Sequence, residues 1–530
     1  KQEKQVEARL KEWSEVVAEG DKELFKKRLT YEGLDLDTAR NFLGGGKYAD
    51  SNNLPSWTKI LNEILKQAED FPRKTFDSDL SEKYLFLKKD FPTPFEEIFL
   101  PFVLIARKRF SANVGDRYNL LTDKTHTSLE QFLLQRLTAI SSRVLEVEFS
   151  TFRACLQFSG MVYSEVMENK NSRQQYLSFV KEMVTEGLPP LFKEYCVLAR
   201  MLAVCIEQWV ELATELLDRL QTDLLEMQQL FADDTELGKV VDVDPGLSDS
   251  HCNGRTVIIL TFESGIRLVY KPKKMGLEAD YFQFADWLNK QGVLPSFKVL
   301  KLINRDSYGW IEFAEKLPMN SEEEVNRYYQ RSGMLLYLIY ICDGIDFHHE
   351  NVVASGEYPV PIDLETFFHH RVKHSKEAED SISGANEAIS DSVLRTHFLP
   401  QLYKMKDKYL DITGLGGGAG QDISLEVLRW KNINTDAMEF NFEKIIPDFS
   451  KNAPKIKDEY LSPEDHVGEI LDGFRRMHQF LSDKKEDLFA TNSLFTRLFQ
   501  NEARFVFRAT ELYTLILSKS THPDYQREGV

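Results

Sequence analysis

Residues 343–363 read DGIDFHHENVVASGEYPVPID, and three polar positions in this stretch organise the reading of the whole chain. Asp346 and Asn351 stand five positions apart. Twelve residues beyond Asn351, the short apolar run Tyr358-Pro359-Val360-Pro361-Ile362 predicts a strand that delivers Asp363. Upstream, Glu323 to Leu336 has helical periodicity and leads into Leu-Leu-Tyr-Leu-Ile-Tyr-Ile-Cys, a segment apolar enough to be buried and ending at Cys342. A loop carrying Asp346 therefore follows a buried helix and precedes a small hairpin.

Working outward, Arg255 to Pro272 contains two β-branched runs joined by Glu263-Ser264-Gly265, a hairpin signal whose second strand closes on Lys271. A helical segment from Leu277 to Lys290 follows, then strand-like runs at Phe297–Ile303 and Tyr308–Phe313. The first 235 or so residues read as helical. In Cys196–Phe231, Trp209, Leu212, Leu216, Leu220, Leu224, Met227 and Phe231 recur every three or four positions, the mark of one long amphipathic helix. Gln131–Arg143 and Asn171–Gly187 behave similarly, and Pro189-Pro190 punctuates the region before the next helix. The expected organisation is a helical N-terminal region over 1–235, a small sheet-bearing lobe over 236–320 and a helical lobe over 321–530 with a Gly-rich loop insertion, an α+β arrangement in which a ligand sits between lobes.

The 530 residues exceed what one hydrophobic core serves, and 42% apolar with 28% charged residues excludes collagen-like, disordered and membrane-embedded classes. The net charge of −18 disfavours non-specific binding to nucleic acid or anionic lipid, so an anionic ligand needs a local basic pocket. Five cysteines, an odd number with no C-x-x-C pair, give neither a disulfide framework nor a zinc ribbon and fit free thiols in the cytoplasm. No apolar run is long enough to span a bilayer.

The ordered set of strand lysine, Asp-x4-Asn and strand-end aspartate suits phosphoryl transfer. That chemistry needs a cation on the phosphates, hard oxygen ligands for magnesium and a carboxylate beside the incoming hydroxyl. Protein kinases space the last two groups as Asp346 and Asn351 are spaced here.

Further segments carry a resemblance. Ser248-Asp249-Ser250-His251-Cys252-Asn253-Gly254-Arg255-Thr256-Val257, Leu268-Val269-Tyr270-Lys271-Pro272-Lys273, Asp346-x-His348-x-x-Asn351, Ile362-Asp363-Leu364-Glu365-Thr366, Asp411-Ile412-Thr413-Gly414-Leu415-Gly416-Gly417 and Arg504-x3-Arg508-x-Thr510-x2-Tyr513 occur in one order. From about Gly246 onward, the chain resembles the dehydratase domain of class II lanthipeptide synthetases. The resemblance implies a lipid-kinase-like bilobal core and an enzyme that phosphorylates Ser and Thr of a ribosomal precursor peptide with Mg-ATP, then eliminates phosphate to leave dehydroalanine or dehydrobutyrine. It implies that Lys271 contacts the ATP phosphates, that Asp346 orients or deprotonates the substrate hydroxyl, and that Asn351 and Asp363 hold magnesium. His348 would support the same loop, Asp249 and His251 would come from the glycine-bearing segment above the phosphates, and Arg504 and Thr510 look like the elimination residues.

Elimination needs removal of an α-proton and stabilisation of a departing dianion, and an arginine fork suits the second task. On a continuous helix Arg504 and Arg508 share a face while Thr510 lies roughly 120° away from Arg504, unless the helix starts between them. The α-proton base is not identified by the sequence. Ser248 precedes Asp249 where the family usually shows Gly. The near-fingerprint Gly414–Gly420 follows a polar stretch and not a buried strand, so a dinucleotide site is excluded and an active-site loop expected. His369, His370 and His374 lack zinc-site spacing and read as exposed loop histidines. No cysteine follows Cys342, so the zinc-dependent cyclase portion of the full synthetases is not expected in these residues, and the dehydratase portion reads as truncated.

The partner expected is a precursor peptide with a leader, docked by the helical region or by a small-lobe edge strand or groove; Lys26-Lys27-Arg28 is one basic candidate. No nucleic acid is expected, and association with export machinery is compatible with this role. Two other readings differ in class: a lipid-kinase-like phosphotransferase on a lipid or small molecule that stops at the phosphate ester, and a nucleotide-sensing scaffold without turnover.

Overall fold

The structure, a computed structural model, describes residues 2–43, 54–71, 75–76, 80–158, 171–233, 235–248, 253–370, 388–389, 391–405, 408–416, 424–446, 452–504 and 510–528. The chain divides into two compact units, residues 1–62 and 63–530. In the first, α1 (Gln2–Ala18), α2 (Lys22–Tyr31) and α3 (Leu36–Leu43) enclose a small core of Leu10, Ala18, Phe25, Leu29 and Ala39. Asp21 caps α2 by accepting from the backbone N–H groups of Glu23 and Leu24 at 2.9 and 3.0 Å.

The second unit begins its long helices with α4 (Leu100–Val114), α5 (Asp123–Phe158) and α6 (Cys196–Phe231). The predicted amphipathic helix over 196–231 is α6, and Gln131–Arg143 lies inside α5. Pro189 and Pro190 do not interrupt the chain before a helix; they sit in the first turn of the helix Leu188–Glu194, where a missing N–H costs nothing. The indole Nε1 of Trp209 on α6 donates to the Leu129 carbonyl on α5 at 3.0 Å, a hydrogen bond that lets a buried tryptophan join the two helices.

The small lobe is a five-stranded antiparallel sheet in the order β1-β2-β3-β5-β4, with β1 Val240–Pro245, β2 Ile258–Phe262, β3 Arg267–Lys271, β4 Leu302–Asn304 and β5 Gly309–Glu312. The β2–β3 turn closes as read from the sequence, with Gly265 at φ 84° and Gly265 N donating to Phe262 O at 2.9 Å. Side chains alternate across β3. Tyr270 faces α6, where it meets Arg219, and Trp310 of β5 donates to the buried Asp223 of α6 at 2.8 Å. Lys271 points to the other face, toward the helical lobe. Between β3 and β4 runs α7 (Gly276–Lys290), one residue longer than expected at its start.

The helical lobe is built on α8 (Glu322–Ile341). Ser321 and Glu324 make a capping box: the Ser321 hydroxyl accepts from Glu324 N at 3.3 Å, and Glu324 Oε2 accepts from Asn320 N at 2.7 Å. A second helix, α9 (Val467–Asp483), crosses α8 at two facing glycines. A Cβ on Gly333 would overlap the Ile470 carbonyl, and one on Gly473 the Gln330 carbonyl. Past α8, Gly344 N returns to Ile339 O at 2.8 Å and ends the helix. The hairpin β6 (Val352–Ser355) and β7 (Tyr358–Pro361) then follows. Further on, the ribbon Leu425–Lys431/Glu439–Ile445 is tied to the N-terminal helices at its turn, where Asn434 Oδ1 accepts from Phe95 N and Asp436 Oδ1 from Tyr176 N, each at 2.8 Å. No described helix is long and apolar enough to cross a membrane.

Candidate active site

The site lies where the end of β3 meets the loop after α8. Lys271 is buried on the sheet underside; its Nζ donates to the Ile362 carbonyl and stands 3.6 Å from Glu278 Oε1. Glu278 is itself buried in the first turn of α7, and its Oε1 has no hydrogen bond. A lysine on the third strand and a glutamate on the next helix thus form a desolvated pair aimed at one point. Two residues on, and on the same side of the chain, Lys273 Nζ reaches Asp363 Oδ1 at 3.0 Å and Glu365 Oε2 at 2.7 Å. Burial pulls the Lys273 ammonium down, but Asp363, Glu278 and Glu365 outweigh it and hold it above the ordinary lysine value.

The Asp346–Asn351 loop is fixed mostly by its own backbone. Asp346 has φ 66°, a left-handed conformation uncommon for a residue with a Cβ. Asn351 Nδ2 donates to the Asp346 carbonyl at 2.8 Å, which makes Oδ1 the atom of this amide that could hold a metal, and Asn351 N donates to His348 O at 3.0 Å. His348 accepts from Glu350 N through Nδ1 at 3.2 Å and places Nε2 3.6 Å from Asp346 Oδ1. The hairpin then brings Asp363 alongside: Ile362 N donates to Asn351 O at 2.9 Å.

The two carboxylates differ. Burial raises Asp346 above its ordinary value, although His348, His397 and Arg504 oppose the shift. Burial also acts on Asp363, but Lys273 and Lys271 win and hold it down at about 2. Asp363 therefore remains a full anion, and the Lys273 ammonium on its Oδ1 occupies the place of a cation. Among the described residues no group of three or more His, Cys, Asp or Glu is arranged as a metal cage. An amide and one carboxylate instead suit magnesium, which keeps waters and substrate phosphates in its shell.

Arg504 joins this site from far along the chain. Its backbone N donates to Glu365 O at 2.9 Å, its guanidinium pairs with the Glu365 carboxylate, and its charge acts on Asp363 and Asp346. It lies outside the described helices, and α10 (Thr510–Ser520) follows it with residues 505–509, Arg508 among them, outside the described residues. The Thr510 side chain, Asp249, His251, Arg508 and His374 lie outside the described residues. The loop that bears Asp249 and His251 joins β1 to β2 and is closed at its base, with Ser248 Oγ accepting from Val257 N at 3.1 Å. His369 is not a simple exposed loop histidine. It is half-buried and within electrostatic reach of Asp343 and Asp346.

Four residues were not assigned roles from sequence. Glu278 could have been read from its place seven residues after the strand lysine, and Lys273 from strand alternation with Lys271. Glu365 stood in a quoted motif without a role. His397 had no sequence signal: the turn Val393–Thr396 packs it against the Asp346 loop, with Phe347 N donating to Thr396 O at 3.0 Å.

Fold and site together define a chain in which a buried lysine–glutamate pair lies beside an Asp-x4-Asn loop. The chain belongs to the family described as a domain of unknown function, DUF4135, whose model matches residues 195–530. It is similar to the lacticin 481/lactococcin biosynthesis protein LcnDR2 of Lactococcus lactis subsp. lactis, with 29% identity over 293 residues, which is 52% of this chain and 31% of that protein. The chain thus spans under a third of the length of that curated relative.

Proposed function

We propose that this chain is a lanthipeptide dehydratase, phosphorylating Ser and Thr of a ribosomal precursor peptide with Mg-ATP and then eliminating phosphate. The observation that carries the reading is the convergence of Lys271, Asp346, Asn351 and Asp363 with Arg504 on one site, joined to the similarity to a lacticin 481 biosynthesis protein.

In this reading Lys271, held by Glu278 and the Ile362 carbonyl, meets the ATP phosphates. Asn351 Oδ1 and Asp363 would hold magnesium, which when bound neutralises charge on the transferring phosphoryl group. Asp346 orients the substrate hydroxyl and receives its proton, a task that a carboxylate raised by burial performs better than one held near 2. Arg504 meets the dianion that departs in the second half-reaction. The precursor peptide is the partner, and the cytoplasm the compartment.

One observation favours a second reading, a lipid-kinase-like phosphotransferase acting on a lipid or small molecule. Arg504 is already paired with Glu365 and could serve structure alone. Intact-mass analysis of a Ser/Thr-containing precursor peptide with ATP and magnesium separates the two. Loss of water supports the dehydratase, with Asp346→Asn and Lys271→Met leaving the peptide unmodified; phosphorylation without water loss by the wild-type chain supports the phosphotransferase.

A further inference from the structure

Asp346 and His397 are both residues with a Cβ held at positive φ, 66° and 57°, and they sit against each other across a backbone hydrogen bond between their neighbours. Such conformations are strained and persist where the surroundings fix them. The surroundings here are explicit. His397 N donates to Leu394 O at 3.2 Å, and His397 O accepts from Gly414 N at 3.0 Å. The preceding Thr396 is fully buried, and its hydroxyl accepts from Phe398 N at 3.2 Å. Three segments, 346–349, 396–398 and 412–415, are thereby laced together, with His349 N donating to Ile412 O at 2.9 Å as the third tie. The lacing holds His397 within electrostatic reach of Asp346, on which Arg504 also acts.

Two other histidines, both on the Asp346 loop, have partners for their rings. His348 has Nδ1 accepting from Glu350 N, and its Nε2 stands 3.6 Å from Asp346 Oδ1 and 3.4 Å from Asn351 Nδ2. His349 Nδ1 stands 3.1 Å from the Ile412 carbonyl and so carries a proton toward it. Among the described residues, neither ring nitrogen of His397 is hydrogen-bonded; its ring meets only Tyr403, edge-on, with centroids 6.1 Å apart. Burial, aided by His348 and opposed by Asp346, keeps the imidazole on the neutral side of its ordinary value.

We infer that His397 is the catalytic base that removes the α-proton in the elimination step, an inference that rests on the dehydratase reading. The His397 imidazole takes the Cα proton of the phosphorylated residue. The C–H electron pair becomes the Cα–Cβ double bond, the Cβ–O bond breaks, and its electron pair leaves with phosphate, whose charge Arg504 meets. The imidazolium is stabilised by the Asp346 carboxylate and returns its proton to water. The step is redox-neutral and needs no co-reactant.

The test uses the whole chain and one peptide in two forms: unmodified with ATP and magnesium, and synthesised with phosphoserine in place of serine, without ATP. His397→Asn keeps a residue that tolerates the left-handed conformation but has no basic nitrogen. Relative to phosphorylation of the unmodified peptide, elimination from the phosphoserine peptide is expected to fall about 100-fold or more, the usual worth of general-base catalysis. His397→Gly, equally at home at φ 57°, leaves room for a diffusible base, and added imidazole is expected to restore elimination in it. Elimination by His397→Asn at the wild-type rate, or a parallel loss of both reactions without imidazole rescue, overturns the assignment. A wild-type chain that dehydrates while the variants do too removes only His397; a wild-type chain that acts on neither peptide removes the dehydratase reading and the base with it.

Discussion

The loop that carries Asp346 and the strand end that carries Asp363 are two regions of one site, and they treat a carboxylate in opposite ways. Asp346 sits in a left-handed residue at the end of a buried helix, faces histidines, and is raised by burial. Asp363 follows a paired strand, has Lys273 at 3.0 Å and Lys271 nearby, and is held at about 2. The difference teaches how one site divides its work. In the dehydratase reading, the carboxylate given the proton sits among histidines with one arginine in electrostatic reach, and the carboxylate given the magnesium is kept ionised by two lysines.

Changes that exchange the two environments test this division. The largest expected effect is on activity. Asp346→Asn should slow phosphorylation of the peptide by about 100-fold or more, yet raise the thermal unfolding midpoint at neutral pH, because it removes a partly desolvated charge and places Asn, which tolerates the left-handed conformation, at φ 66°. Asp363→Asn should abolish activity and lower the midpoint, since Lys273 loses a charged hydrogen bond of about 2 kcal/mol. Parallel kinetics and calorimetry on the two variants break the comparison if both midpoints move the same way.

Next in size is the Lys271–Glu278 pair. Glu278→Gln leaves the buried Lys271 without its counter-charge, a change expected to cost about 3–5 kcal/mol in urea unfolding and to weaken ATP binding. A variant with wild-type stability would show that the Ile362 carbonyl alone satisfies the lysine.

A smaller effect carries a pH signature. Asp363 lies below its ordinary value of 3.8, so its ion pair with Lys273 contributes stability that is present above that value and lost as pH falls from about 4 to 2. The urea midpoint of Lys273→Met should therefore lie below that of the wild-type chain at pH 7, and the gap should close as pH is lowered through this window. A gap independent of pH would mean that Lys273 contributes by packing and not by charge.

The smallest expected effect lies away from the site. Gly333→Ala forces a methyl into the α8–α9 crossing and should cost about 1–3 kcal/mol in unfolding free energy, with the pH dependence of activity unaltered.

The legible part of this site was the part written in short-range spacing. Lys271 was readable because a hairpin announces itself by β-branched runs and a Gly turn, and Asp346, Asn351 and Asp363 because a loop and a strand end keep their order within 18 residues. The helical periodicity read from Glu323 likewise falls inside α8, which begins at Glu322. What the sequence hid depends on tertiary packing. His397 enters only because a short turn docks on the Asp346 loop, and Arg504 enters through a backbone hydrogen bond to Glu365, which is far from it in the chain. Pro189-Pro190 misled for a related reason, since a proline pair can end one helix or begin the next, and its neighbours decide.

The central claim, that one site both phosphorylates and eliminates, is tested most directly by following the intact mass of the precursor peptide with ATP and magnesium for the wild-type chain and Arg504→Met side by side. Water loss by the wild-type chain with phosphopeptide accumulating only for Arg504→Met is the expected result. Equal water loss by both would contradict the account, and so would a wild-type chain that leaves the peptide phosphorylated.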